Sequence, residues 1–292
     1  NTSPNFILDA CSILIDSHEQ NEYIVAFSGG EDSSVLLHAM VNLMEEKKIK
    51  LRTIHINHNL QENAKEVSAH CAQVSKDYAI EHFSYEVKIE KSSNIEETCR
   101  VLRYSALSEH SHKNEIILTA HHLDDQIETF FLRVLRGSAL KGLSSMDTST
   151  MLNNRRIVRP LLGASKSQIQ SYSKLNKISF IDDKSNYDIK FDRNFIRSNI
   201  IPKLKERWTS LEKIMSNNID ILALQSSVLD NFIDSISKDY LSSDKKNLYI
   251  DKVNYLDFGV KVLLLHRWIY RMSATNLNLR HINEILKIMN TN

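Results

Sequence analysis

The segment Tyr23-Ile24-Val25-Ala26-Phe27-Ser28-Gly29-Gly30-Glu31-Asp32-Ser33-Ser34 decides how this chain is read. Five residues of strand character run into Ser-Gly-Gly, and Asp32 then opens a helix through Val35-Leu36-Leu37. Glycines lack a Cβ, so the backbone can close around an oxyanion while the next helix N-terminus aims N–H groups and partial positive charge at it. The spacing predicts a phosphate cradle. It is not a Walker A loop, because the Gly-Lys-Ser/Thr ending is missing and no lysine of that loop can reach the β- and γ-phosphates. As structure alone, the stretch also reads as a glycine turn with Asp32 or Ser33 as helix cap.

Outward from this loop the first part of the chain alternates. Strands are expected at about 23–27, 51–57, 83–89 and 115–120, with helices at about 32–48, 63–79, 94–111 and 122–136. Strands separated by such helices require right-handed crossovers, hence a doubly wound α/β fold with a parallel sheet covered on both faces. Ligands bind outside the carboxyl ends of such strands. That places Ser28–Ser33, Asn57-His58 and His121–Asp125 on one rim as one site. Residues 137–160 read as a loop or short crossing segment, and Ser165 as the N-cap of a helix to Leu175. Beyond Pro202 the pattern is helical, with a short extended piece at Tyr249-Ile250-Asp251, and the domain boundary is expected near 205–215.

At 292 residues, with 42% hydrophobic and 25% charged, the chain has the makings of about two globular domains. Its 6 Gly and 3 Pro favour helices over long loops. No apolar run approaches a membrane span and no signal peptide opens the chain, so a cytoplasmic location without membrane contact is expected. Cys11, Cys71 and Cys99 form no C-x-x-C pair, which argues for buried thiols rather than a zinc site or a disulfide framework. The net charge of +1 is uneven: residues 151–207 hold 13 Lys/Arg against 5 Asp/Glu. Such a block is either a solvated surface or a phosphate-binding face.

Three further groups carry chemistry. In His121-His122-Leu123-Asp124-Asp125-Gln126-Ile127-Glu128-Thr129, His121 and Asp125 share a helix face, as do Asp124 and Glu128. These residues suit Mg²⁺ beside phosphates, or proton removal from an attacking group; acids there also complement the helix dipole. Arg100 and Arg103, three apart, suit phosphate binding through their planar forks. Asp182-Asp183 and Arg193-Asn194-x-x-Arg197 suit a polar substrate or an RNA backbone, and equally a capped turn followed by a helix start.

The ordered set Ser-Gly-Gly-x-Asp-Ser, His-Ile-Asn-His-Asn-Leu, Arg-x-x-Arg-Tyr, His-His-x-Asp-Asp-Gln-x-Glu-Thr, Leu-Arg-Gly-Ser, Arg-Pro-Leu-Leu and Arg-Asn-x-x-Arg runs from about residue 23 to 205. It resembles the bacterial tRNA(Ile)-lysidine synthetase family of the pyrophosphate-loop ATP pyrophosphatases. Two positions depart from that family's pattern: Lys184 stands where Asp-Pro-Ser-Asn has proline, and Asn59 where a glycine is common, so that Asn59 must take any left-handed conformation there, which asparagine tolerates better than most residues.

The resemblance implies an adenine nucleotide α-hydrolase-like, Rossmann-like catalytic domain over 1–210 and a smaller α-helical, tRNA-binding domain over 211–292. It implies ligation of free L-lysine to C2 of the wobble cytidine of tRNA(Ile) with a CAU anticodon, through an adenylated base. Ser28, Gly29, Gly30, Glu31, Asp32 and Ser33, with Asn57 and His58, would hold ATP. Asp32 and Asp124, or Asp125 in its place, would position Mg²⁺, and Asp125 or His121 would take the proton from lysine. Arg100 and Arg103 would steady the phosphates, Arg193, Asn194 and Arg197 the anticodon loop, and Asp182-Asp183 or Asn194 would select lysine. Longer relatives carry further C-terminal domains, so a truncated chain is expected, and dimers among relatives allow a homodimer. The rival readings are a tRNA 2-thiolation enzyme, an amide-forming pyrophosphatase and a nucleotide-binding sensor without turnover.

Overall fold

Leu118 and Ile117, neighbours on one strand, belong to different cores, and that divergence organises the molecule. The computed structural model describes residues 5–59, 63–88, 95–182, 188–273 and 277–291. Helix α1 (Phe6–Asp16) precedes β1 (Glu22–Ala26), α2 (Glu31–Lys47), β2 (Lys50–Asn57), α3 (Ala64–Asp77) and β3 (Glu81–Glu86). Then follow α4 (Ile95–Glu109), β4 (Glu115–Leu118), α5 (Leu123–Leu135), α6 (Leu140–Leu143), β5 (Ser149–Leu152) and β6 (Arg155–Val158). The six strands form one sheet in the order β3-β2-β1-β4-β6-β5. All neighbours pair in parallel except the β5–β6 hairpin.

Alternate side chains of the central strands enter opposite cores, as the two-residue period of a strand requires. Tyr23, Val25, Ile116 and Leu118 pack with Leu36, Met40, Cys11 and Tyr172 from α2, α1 and α7 (Lys166–Leu175). Ile24, Ile54, Ile117 and Ile157 pack with Tyr104 and Leu107 of α4 on the other face. Every residue of β4 is buried, the pattern of a strand covered on both sides.

Two expectations are corrected here. Residues 137–160, expected as a loop or short crossing segment, hold a short helix and a hairpin, and the hairpin gives the parallel sheet an antiparallel edge. Its two-residue turn, Asn153-Asn154, has φ of 48° and 59°, the left-handed pair of a tight hairpin that asparagine tolerates. Residues Ile250–Val253 form a helical turn, α11, where an extended piece was expected.

After α7 come α8 (Asp192–Phe195), a π-turn at Ile196–Ile200, α9 (Ile201–Arg207) and α10 (Leu211–Tyr240). Pro202 sits in the first turn of α9, where its missing N–H costs nothing. Leu123 and Ile127 of α5 pack with Ile196, Ile201, Leu211 and Met215. The chain divides into two compact units, residues 1–219 and 220–292. In the second unit α10 residues, α12 (Phe258–Ser273) and α13 (Leu279–Thr291) enclose Ile233, Leu264, Leu265, Ile282 and Leu286. Arg267 spans Asp230 and Asp234 there at 2.7 and 2.9 Å. No helix among the described residues is long and apolar enough to cross a membrane.

Candidate active site at the switch point of the sheet

Strand order places β1 beside β4, whereas the chain leaves β1 toward β2 and returns to the far side of β1 only with β4. Such a reversal opens a crevice at the carboxyl ends of the two strands. Register fixes what lines it: Val25 lies opposite Leu118, and Leu118 opposite Val158, so the segments after residues 26, 118 and 158 emerge together.

The first is the glycine loop. The Phe27 N–H donates to the Ile54 carbonyl at 2.9 Å, ending the ladder, and the chain then turns. The Ser28 N–H donates to Ser33 Oγ at 3.2 Å, and Ser33 Oγ donates to the Gly30 carbonyl at 3.0 Å. Gly29 has φ +79°, and a Cβ there would meet Cys71 Sγ at 3.0 Å and Val67 Cγ1 at 3.2 Å. Glycine is therefore demanded twice, by conformation and by space. Gly30 is the N-cap of α2, in an extended conformation with room for a Cβ. The Gly29 carbonyl accepts from the Ile181 N–H at 2.9 Å, which ties the loop to the segment leading to Asp182.

The second segment carries the two histidines into α5. The His122 N–H donates to Asp125 Oδ2 at 3.0 Å. Its ring lies among three carboxylates, with Nε2 3.6 Å from both Asp32 and Asp125 and Nδ1 3.9 Å from Asp124. Burial opposes a charge on His122, but Asp125, Asp32 and Asp124 outweigh it and raise its pKa above the ordinary value. His121 moves the other way. Burial first, then the charges of Arg159, Arg193 and Arg103, hold it at about 4 against the pull of Asp125. One sequence dipeptide thus sets an imidazole held toward its charged form beside one held neutral, a division that suits acid and base roles.

Ion pairs complete the crevice. Lys166, first residue of α7, places Nζ 2.5 Å from Asp32 Oδ1 and 3.0 Å from Glu31 Oε2, while its N–H donates to Asp124 Oδ2 at 2.9 Å. Lys205 of α9 reaches Asp124 Oδ1 at 2.7 Å and Glu212 at 2.5 Å. Burial works to raise the Asp32 pKa, yet His122 and Lys166 together hold it below the usual carboxylate range. Asp125 is held lower still, because His122, Arg193 and His121 overcome its burial. Arg193 contacts Asp125 at 2.7 Å and Glu128 at 2.7 Å; Arg197 contacts Glu128 at 2.6 Å. Glu128 is only 1% exposed, so these two guanidiniums are what makes its burial tolerable.

Of the residues expected at the site, Ser28 to Ser33, His121, Asp124 and Asp125 meet at the crevice. His58 has both ring nitrogens buried without a hydrogen-bond partner among the described residues. Burial, Arg103 and His55 hold its pKa at about 4. Asn57 donates to Ser68 Oγ at 3.2 Å and accepts from the Asn59 N–H at 2.8 Å, and Asn59 adopts the left-handed conformation expected of it, φ 52°. The charge of Arg103 bears on His58 and His121, whereas Arg100 lies out in solvent, 3.2 Å from Glu97 and 5.9 Å from the Tyr104 ring centre. Arg193 and Arg197, expected to face RNA, spend their guanidiniums on α5 instead, and the Asn194 amide donates to the Asp188 carbonyl at 2.9 Å. Asp183 lies outside the described residues. All three cysteines are buried as free thiols, and burial pushes Cys11 and Cys71 up to about 12.

Lys166, Lys205 and the bridging role of His122 carried no signal in the sequence. The hairpin did, in Asn153-Asn154 between two short apolar-ended runs. For a metal, no group of three or more His, Cys, Asp and Glu among the described residues is arranged as a site. Asp32 and Asp124, on either side of His122, nevertheless supply the hard oxygens that Mg²⁺ takes together with phosphate oxygens. This donor set fits a Mg²⁺ that would share its coordination with nucleotide phosphates.

Comparison with known proteins places this geometry. Residues 7–204 match the PP-loop domain model. The chain is 34% identical to a tRNA(Ile)-lysidine synthase of Actinobacillus pleuropneumoniae serotype 3 (strain JL03) over 92% of its own length and 63% of that protein's. It is 37% identical to a tRNA(Ile)-lysidine synthase of Buchnera aphidicola subsp. Schizaphis graminum over 88% and 58% respectively. The chain therefore spans less than two thirds of the curated relatives it matches. Among solved structures, the U34-tRNA thiolase NcsA from Methanococcus maripaludis superposes with a TM-score of 0.62 at 15% identity, covering 74% of this chain and 78% of that one, a likeness of fold.

Proposed function

This chain belongs to the PP-loop domain family, and from that premise we propose that it is an ATP-dependent tRNA-modifying ligase with tRNA(Ile)-lysidine synthase activity. The observation that carries the proposal is the meeting of Asp32, from the glycine loop, with Asp124 and Asp125, from α5, around His122 at the switch point. Phosphate ligands at one wall and titratable groups at the other suit adenylation followed by amine attack.

In the proposed reaction the cytosine C2 oxygen attacks the α-phosphorus of ATP and the bond to the β-phosphate breaks, releasing pyrophosphate. The lysine ε-amine then attacks C2, the C2–O bond breaks, and AMP leaves. Ser28 to Ser33 would hold the departing pyrophosphate with backbone N–H groups at the start of α2. Lys166 is placed to move from Asp32 onto phosphate oxygens, supplying the ammonium that the loop itself lacks. Asp32 and Asp124 would then hold Mg²⁺, whose charge would offset that of the phosphates.

A lysine ammonium, with ordinary pKa about 10.4, must lose a proton before it attacks. His121 suits this better than Asp125: it is neutral at pH 7, while Asp125 is held as a very weak base by its cations. The 2-thiolation reading is disfavoured by cysteines that are buried and held protonated.

The test is pyrophosphate release from ATP with lysine, with and without an isoleucine tRNA transcript bearing the CAU anticodon. The expected result is release that requires the tRNA, with labelled lysine incorporated into it. Release equal with and without tRNA, and no incorporation, would reject the reading.

A further inference from the structure

Arg159 follows β6 directly, so its backbone stands on the same rim as the glycine loop and the two histidines. The residue is only 7% exposed. Its N–H donates to the Thr148 carbonyl at 2.9 Å, and its Nη1 donates to the Asp147 carbonyl at 2.7 Å and to Thr150 Oγ1 at 3.0 Å. All of these acceptors are neutral. Among the described residues no carboxylate pairs with Arg159, and its Nε is buried with no hydrogen-bond partner. The contrast with Arg193 and Arg197, 34 and 38 residues on, is sharp: each of those is matched by carboxylates of α5.

A buried guanidinium without a counter-charge is costly, and its natural complement is an oxyanion able to take two donors at once. The charge of Arg159 bears on His121, as does that of Arg103, an exposed arginine of α4 that has no carboxylate partner among the described residues either. His58, with two orphaned ring nitrogens, sits beside Arg103. The wall of the crevice formed by the ends of β2, β4 and β6 is therefore cationic and short of acceptors. By contrast the carboxylates of Glu31, Asp32, Asp124 and Asp125 are all compensated, by Lys166, Lys205, Arg193 and His122.

We propose that Arg159, with Arg103, forms a phosphate-oxygen subsite on the β6 side of the crevice, separate from the glycine loop. Its ligand is a phosphate held by the guanidinium fork of Arg159, supplied either by the nucleotide or by the RNA backbone. This rests on the reading of the crevice as an ATP- and RNA-binding site. Arg159 Nη1 also holds the β5–β6 hairpin through the Asp147 carbonyl and Thr150 Oγ1.

The test measures affinity for a non-hydrolysable ATP analogue and for tRNA, separately, on the full chain carrying Arg159→Gln, Arg159→Lys, Arg103→Gln or Thr150→Val. Loss of a charge-assisted pair predicts about 10- to 100-fold weaker binding of one ligand by Arg159→Gln. Arg159→Lys, which keeps the charge and loses the fork, falls between it and the parent. Weaker analogue binding assigns the subsite to the nucleotide. Weaker tRNA binding, with a salt slope smaller by about 1, assigns it to the RNA. Thr150→Val removes part of the clamp alone and leaves both affinities unchanged. Unchanged affinities for both ligands in Arg103→Gln and Arg159→Lys would overturn the proposal, and these two conservative variants keep it testable should Arg159→Gln fail to fold. If the parent chain binds neither ligand, the reading of the crevice fails instead.

Discussion

Lys166 Nζ rests 2.5 Å from Asp32 Oδ1, joining two residues 134 positions apart across the mouth of the glycine loop. Burial opposes the ammonium, yet Asp32 and Glu31 keep its pKa above the ordinary lysine value, so it stays charged wherever ATP would be bound. Lys166→Met should weaken ATP use, lowering kcat/KM for ATP by about 10- to 100-fold, the equivalent of one charge-assisted contact. Steady-state pyrophosphate release at varied ATP checks this. A parent-like kcat/KM would mean that Lys166 only neutralises the acids.

Gly29 and Gly30 should respond unequally to alanine. Gly29→Ala forces a Cβ onto Cys71 and Val67 at positive φ and should cost about 2 kcal/mol or more, with ATP affinity lost. Gly30→Ala meets only Ser28 Oγ at 3.6 Å and should cost under about 1 kcal/mol. Adding Cys71→Ala to Gly29→Ala relieves the contact and leaves the backbone strain, so recovery should be partial. Urea unfolding of the three variants gives the comparison.

Glu128→Gln takes the Glu128 carboxylate from Arg193 and Arg197 and leaves Asp125 to both, at 2.7 and 3.4 Å. Breaking a buried pair from one side typically costs about 3–5 kcal/mol, so a clear fall in Tm is expected. Because Arg193 and Glu128 are in contact, the double variant Glu128→Gln/Arg193→Met should lose less than the sum of the single changes. Additive losses would show that the network is not coupled.

The histidine pair sets opposite pH dependences. His121 has a folded pKa of about 4, below the ordinary 6.5, so the unfolded chain binds the proton first on acidification. Its contribution is present above pH 6.5 and is lost as pH falls toward 4, by on the order of 2–3 kcal/mol. His122 has a raised pKa, so its contribution is full below 6.5 and fades as pH rises through the folded value. His121→Gln should therefore flatten the loss of stability between pH 6.5 and 4, and His122→Gln should destabilise more at pH 6 than at pH 9. Denaturation midpoints across that range decide both.

Much of this was legible along the chain, for physical reasons that are local. Hydrophobic period and glycine placement determined the strand-loop-helix at residues 22–47, and the capping box at Ser165 and Gln168 determined where α7 starts. Asn59 was readable as left-handed because few other residues tolerate that conformation at a position where glycine is common. The strand-then-polar rhythm placed Ser28, His58 and His121 on one rim, since parallel strands carry their carboxyl ends to the same side. The β5–β6 hairpin was missed because its four-residue strands lie at an edge and show little alternation, though its Asn-Asn turn was in plain view.

Charge pairing was decided only by tertiary structure. Nothing near Lys166 or Lys205 names Asp32 or Asp124 as partner, and nothing near Arg193 separates an RNA-facing arginine from one that neutralises Asp125 and Glu128. The opposite behaviour of His121 and His122 likewise depends on which carboxylates and guanidiniums converge from α2, α4, α5, α8 and the residue after β6. Backbone conformation follows from a few neighbouring residues, so the sequence by itself determined the cradle and its rim. Electrostatic energy depends on burial and on distance through space, so only the folded chain determined which acids are quenched, which imidazole is held toward its charged form and which buried arginine has no carboxylate partner among the described residues.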